Sequence, residues 1–314
     1  MPTLSRSALA LIALLVAMSA PAAAQECTLK QLANVGLSYD RSGGPLVPVT
    51  IDGTSRSMLV DTGSIFSSVT ERTVADLHLQ EEGLPAATFE LADGTPMDRT
   101  ALLQDFMIGH MRARNMPVLV MPQSEPGTNG WAGTIGPDIM TSYDVEFDFG
   151  GGRFALFSHD HCPGDVVYWT KEAYATIPIA VGPNDNHIRL TAMLDGKPVN
   201  VLIDTGTSTS AMNFSTARAL FGITPGDPTL VRLLCLTCAP DSPQSGAVRY
   251  PFKTLSFGGV TVHDPRINLY PDTLRGLGTD ERNQMLVGMS ILRQLHLYIA
   301  YREKTLYVTA ANVH

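Results

Sequence analysis

Met58-Leu59-Val60-Asp61-Thr62-Gly63-Ser64 and Val201-Leu202-Ile203-Asp204-Thr205-Gly206-Thr207 are the two stretches that decide how this chain is built. Each is an apolar run that ends on Asp-Thr-Gly and a hydroxyl residue. The triplets lie 143 positions apart. Working outward, Ile51-Asp52-Gly53 before the first triplet is matched by Leu194-Asp195-Gly196 before the second, at the same offset. Downstream, Phe106-Met107-Ile108-Gly109 aligns with Leu255-Ser256-Phe257-Gly258. Val118, Val120 and Pro122 align with Ile267, Leu269 and Pro271, and Thr134-Ile135-Gly136 with Leu286-Val287-Gly288. Phe147 and Phe149 then fall on Ile299 and Tyr301. The offset widens by a few positions along the way, as small insertions in the second copy require. The chain is a tandem repeat of one structural unit.

That unit is built mainly of strands. Apolar runs flank the Asp-Gly dipeptides, a hairpin signal. Residues 144–149 alternate polar and apolar, and Gly150-Gly151-Gly152 turns them into the run from Arg153 to Phe157. Helical periodicity is confined to residues 70–79 and 215–221, each just after an Asp-Thr-Gly loop. Many short strands with frequent turn residues predict an all-β fold of two barrel-like lobes related by a pseudo-two-fold axis. The expected division is residues 25–165 and 166–314, with the linker between Cys162 and Ala175.

The 314 residues suffice for two cores, being 44% hydrophobic and 17% charged. The net charge of −8, with no Lys/Arg run of five, gives no nucleic-acid footprint. Arg6, the apolar run from Ala8 to Ser19, and Ala22-Ala23-Ala24 read as a signal peptide cleaved after Ala24. Pro21 interrupts the run and argues against a retained anchor, and Glu26 before Cys27 argues against a lipoprotein. The mature protein is expected to be periplasmic or secreted. Export suits the four cysteines as disulfides, for which three pairings exist. Cys235–Cys238 with Cys27–Cys162 is the favoured set. A redox Cys-Leu-Thr-Cys site lacks its strand-to-helix setting, because Ala239-Pro240-Asp241 follows.

The triplets carry the chemistry. An apolar strand delivers Asp61 to a turn at Gly63, and another delivers Asp204 to a turn at Gly206. Two such loops meeting at a two-fold axis bring two carboxylates within hydrogen-bonding reach. So close a pair holds one proton and titrates as a unit. Its ionised member can take a proton from a water, and its protonated member can give one to a peptide carbonyl. His159-Asp160-His161-Cys162 matches no standard ligand spacing and reads as a solvated inter-lobe loop. The remaining histidines are scattered. Ser290 sits in no nucleophile elbow, because Leu292 stands where a glycine is needed. Trp131 and Tyr168 read as packing residues rather than cleft residues. No metal or cofactor is expected.

The paired Asp-Thr-Gly-Ser/Thr loops, each followed by an apolar-apolar-Gly segment, resemble the pepsin and retropepsin superfamily of aspartic proteases, in the form of bacterial retropepsin-like halves fused in one chain. The resemblance implies that Asp61 and Asp204 form the catalytic pair. Thr62 and Thr205 would hydrogen-bond across to the opposite loop. Gly63 and Gly206 would aim N–H groups at the carboxylates, and Ser64 and Thr207 would bond their outer oxygens. Gly136 and Gly288 would let their strands pass close beneath the loops. A flap is expected at residues 89–97, with Leu91, Ala92, Asp93 and Gly94 nearest its tip, although no Tyr occupies it. In the second half the corresponding stretch holds Cys235 and Cys238, and a disulfide there would stiffen a loop over the cleft. The implied activity is that of a monomeric endopeptidase acting on extended peptides. The alternative is a catalytically silent peptide-binding module of the same fold.

Overall fold

The computed structural model describes residues 28–85, 89–91, 94–122, 130–182, 186–234, 246–272 and 284–311. The leader, Cys27, Cys235, Cys238, Ala92 and Asp93 lie outside them, so the expected disulfide pairings and the flap tip do too. Among the described residues no helix is long and apolar enough to cross a membrane.

Each half is a mainly antiparallel sheet wrapped around an apolar core, with the same inner motif. In the first half, strands Pro45–Ile51 and Thr54–Val60 form a hairpin with Leu46 opposite Leu59. Its turn residues Asp52 and Gly53 both take positive φ, 46° and 80°. The second half repeats this in strands Ile188–Leu194 and Lys197–Ile203, turning at Asp195 (45°) and Gly196 (77°). This backbone geometry matches the twist of a two-residue hairpin, which explains the Asp-Gly dipeptides.

The apolar-apolar-Gly segments are the next shared feature. Strand Gly133–Ile135 runs parallel to Thr54–Val60 and antiparallel to Ser68–Thr70. Strand Met285–Val287 does the same between Lys197–Ile203 and Ser210–Asn213. Further out, Leu119 pairs with Ser68 in one half and Ile267 with Ser210 in the other, both parallel. The sequence repeat is therefore a repeat of strand register. The two anticipated helices are Glu71–Leu77, capped by the Thr70 side chain on the Thr73 N–H, and Phe214–Phe221, stopped by left-handed Gly222. Two single-turn helices were not anticipated, Pro137–Met140 and Met289–Leu292. They are too short to show periodicity.

A six-stranded sheet joins the halves. Strand Asp144–Asp148 of the first lies beside Leu295–Ala300 of the second, with Val145 opposite Ile299. Gln31–Gly36 pairs with Arg153–Phe157 and forms one edge of this sheet. One face of this sheet joins the main apolar core through Val145, Phe147 and Leu297. The other face is buried too and mixes charged groups with a smaller apolar cluster that includes Phe157, Tyr298 and Tyr307. Asp144, Glu146, Asp148 and His296 are 0–1% exposed.

The segment expected to be a solvated loop covers that face instead. His161 is buried against Asp144, and His159 approaches the same carboxylate at 3.3 Å. The Tyr168 hydroxyl donates to Glu146 at 2.7 Å, and its half-exposed ring lies against Phe157 and Trp169. Trp169 stacks on His296 with centroids 4.3 Å apart, and its indole N–H donates to Thr309. The solvated-loop reading fails because the loop's histidines meet carboxylates from a strand that looked merely amphipathic. Among the described residues no cluster of His, Cys, Asp and Glu has the arrangement to hold a metal ion.

Candidate active site

Asp61 and Asp204 stand at the ends of their apolar strands, and both backbones are held identically. The Asp61 N–H donates to the Ile135 carbonyl and the Asp204 N–H to the Val287 carbonyl, each at 3.0 Å. The strands that deliver the carboxylates are thus pinned by the apolar-apolar-Gly segments beside them. The two loops then lock together. The Thr62 N–H donates to the Thr205 hydroxyl (3.1 Å), and the Thr205 N–H to the Thr62 hydroxyl (3.0 Å). Each hydroxyl donates onward, Thr62 to the Ile203 carbonyl (2.8 Å) and Thr205 to the Val60 carbonyl (2.6 Å). Both threonines are fully buried. All four bonds cross between the halves, so each loop is positioned by the other half of the chain.

The glycines set how closely the carboxylates approach. A methyl group on Gly63 would stand 2.3 Å from the carboxyl carbon of Asp204, and one on Gly206 2.3 Å from that of Asp61. Any larger residue at either position would push the pair apart. The N–H groups of Gly63 and Ser64 donate to Asp61 at 2.9 and 3.0 Å, and that of Gly206 donates to Asp204 at 2.8 Å. Thr207 adds a backbone N–H to Asp204. The Ser64 hydroxyl differs from expectation. It donates to the main-chain carbonyl of Asp61 at 3.0 Å, so Ser64 supports the carboxylate through its N–H.

Gly136 and Gly288 are where close approach demands them. A methyl on Gly136 would stand 2.6 Å from the main-chain carbon of Phe66, and one on Gly288 2.2 Å from the Thr209 carbonyl oxygen. Beneath each loop a buried serine ties the layers together. Ser67 accepts from the Gly136 N–H and donates to Asp138, while Ser210 accepts from the Gly288 N–H and bonds Ser290. Neither serine stands out in the sequence, although the offset of the triplets pairs them. Ser290 draws notice in the sequence only as a nucleophile, whereas its hydroxyl serves as a strut.

The electrostatics separate the two acids. Both residues keep contact with solvent. Burial raises the pKa of Asp61, opposed by its loop N–H groups, by a hydrogen bond from Asp204 and by the charge of His187. Burial also raises Asp204, the negative charge of Asp61 adds to the effect, and the result lies well above the ordinary value. These directions make Asp204 the more readily protonated member of the pair. His187 is a further residue that sequence reasoning missed. Arg189 pairs with Leu202, so His187 comes level with Asp204 just beyond the end of the ladder. Its Nε2 is shielded from solvent. The clue available in the sequence was that pairing register, not any local motif.

The expected flap is a short hairpin in which Phe89 pairs with Met97 and Glu90 with Pro96. The Leu91 N–H donates to Thr95, and Gly94 turns the chain with φ 87°.

Comparison with known proteins bears on this arrangement. No curated protein matches the sequence. Among solved structures, an aspartic proteinase from Irpex lacteus superposes with a TM-score of 0.52 at 13% identity. The match covers 89% of this chain and 97% of that one, which shows a shared bilobal all-β fold. The profile of the aspartyl protease family matches residues 47–138 and again residues 190–291. Each match contains one Asp-Thr-Gly loop and its apolar-apolar-Gly partner, and together they span more than half the sequence, so the chain belongs to the aspartyl protease family.

Proposed function

We propose that the protein is an aspartic endopeptidase in which Asp61 and Asp204 activate a water against a peptide carbonyl. The observation that carries this reading is the pair itself, two carboxyl groups each packed against the glycine of the opposite loop and held by bonds that cross between the halves. Asp61, ionised, takes a proton from the attacking water. Asp204, protonated, gives one to the carbonyl oxygen as the tetrahedral intermediate forms. Such paired acid–base assistance contributes about 10²- to 10⁴-fold. The hairpin at Phe89–Met97 would close over an extended peptide. The same reading makes the protein a monomer that completes its own site, acts without a cofactor, and works outside the cytoplasm after loss of residues 1–24. Cys27–Cys162 and Cys235–Cys238 would be its disulfides.

The test is cleavage of an unbiased peptide library by the mature chain from acidic to neutral pH, repeated with Asp61→Asn and Asp204→Asn. The parent should cleave and both variants should not. Cleavage surviving in both variants would remove the dyad. A parent that binds peptides but cleaves none at any pH would make it a silent binding module.

A further inference from the structure

The two loops match bond for bond around the carboxylates and then diverge. Between Ser64 and the buried Ser67 the first loop carries Ile65-Phe66, whereas between Thr207 and the buried Ser210 the second carries Ser208-Thr209. Ile65 is 42% exposed and Phe66 37%, although Ser67, which follows them directly, is only 1% exposed. Phe66 does not face open solvent alone. Its ring meets Phe89, the first residue of the hairpin, edge-on with centroids 5.1 Å apart at 74°. Phe66 therefore links the Asp61 loop to the base of the hairpin, with the exposed Ile65 beside it in the chain. At the pseudo-symmetric place in the other half only hydroxyl groups stand.

Single exposed apolar residues are ordinary on protein surfaces. Here two are adjacent, a third aromatic ring extends them, and they follow Asp61 by four and five positions. An extended peptide running through the site would pass the apolar pair on one side of the carboxylates and the hydroxyl pair on the other.

Building on the peptidase reading, we propose that Ile65, Phe66 and Phe89 form an apolar subsite for an aromatic or branched aliphatic side chain of the peptide. The Ser208-Thr209 side would take small or polar side chains. The site thus breaks its own two-fold symmetry and fixes the direction in which a peptide lies.

The experiment compares peptides carrying Phe, Leu, Ala or Ser at each position flanking the cut, read by mass spectrometry. The parent should show one position strongly favouring Phe or Leu and a position across the cut that does not. Exchanging in the second loop's residues (Ile65→Ser with Phe66→Thr) should lower the Phe-to-Ala ratio of kcat/KM ten- to hundredfold, the scale of losing one side chain's fit in a pocket. Phe66→Leu should largely keep the ratio. Thermal unfolding of each variant confirms folding. An unchanged ratio in the double variant overturns the subsite. If the parent cleaves nothing, the peptidase reading fails separately. Equilibrium binding of the same peptides then decides, with a Phe preference lost in the double variant supporting the subsite and no preference overturning it.

Discussion

The molecule buries carboxylates in two places, and it treats them oppositely. At the interface of the loops, Asp61 and Asp204 face one another, burial raises both, and loop backbone N–H groups are what opposes it on each. In the sheet between the lobes, Asp144, Glu146 and Asp148 are buried more completely, yet each meets a basic or hydroxyl partner. His161 lies against Asp144, His296 donates to Glu146 at 2.8 Å, and Arg153 pairs with Asp148 at 2.9 Å. Burial alone therefore does not make a carboxylate reactive. Burial raises Asp144 too, even with His161 and His159 beside it, whereas the Gly151 N–H and Arg153 carry Asp148 below its ordinary value; what sets the loop pair apart is a second carboxyl group as its partner.

The largest expected effect follows from breaking the first cluster. Asp61→Asn or Asp204→Asn should lower kcat/KM by about 10³-fold or more. Stability should move the other way for Asp204→Asn. A carboxyl whose folded pKa is raised contributes stability below its unfolded pKa and loses it as pH rises through the folded one. Removing that ionisation should make the variant more resistant to denaturant than the parent at neutral pH, as chemical unfolding would show.

Breaking the second cluster should do the reverse. His296→Ala leaves Glu146 buried with only the Tyr168 hydroxyl as its partner and removes the Trp169 stack, and should cost about 3–5 kcal/mol in chemical unfolding. Catalysis per folded molecule should persist. The cluster also sets a pH window. Burial opposes charge on His161, but Asp144, the Cys162 carbonyl and Glu303 outweigh it and raise its pKa, so its contribution is lost as pH rises through that value. Burial likewise opposes charge on Asp148, but the Gly151 N–H and Arg153 outweigh it and lower its pKa, so its contribution is lost as pH falls through that lower value. Thermal midpoints should therefore peak at mildly acidic pH, and His161→Gln should flatten the neutral side of that peak.

Between the two clusters lies the threonine lock. Thr62→Val leaves the Thr205 N–H without its acceptor and should cost about 1–3 kcal/mol in chemical unfolding. It should also lower kcat, since each loop is aligned by the other. The smallest effect concerns His187. Its positive charge favours ionised Asp61, so His187→Gln should move the acidic limb of kcat/KM to higher pH, and His187→Arg should restore it.

The difference between the clusters also explains what could be read in the sequence. The dyad was legible because it occurs twice, in register, with glycines and hydroxyls at matching places. The polar layer occurs once, assembled from both halves. Asp148 lies opposite His296 and Glu146 opposite Tyr298 across the junction of the lobes. In the aligned repeats these positions carry unlike residues, so a search for self-similarity passes over them. His187 was lost for a related reason. Its counterpart at the offset of the triplets is Gly44, which carries no side chain. The Ile65-Phe66 pair was quoted in no motif because only its contrast with Ser208-Thr209 gives it meaning.

The central claim is that Asp61 and Asp204 work as one proton-sharing pair, and the pH dependence of kcat/KM on a cleaved peptide tests it most directly. The account predicts a bell, with an acidic limb where Asp61 takes up a proton, a second limb where Asp204 gives up the shared one, and no such bell in either Asn variant. A profile without those two limbs, or a bell that survives Asp61→Asn or Asp204→Asn, would contradict it.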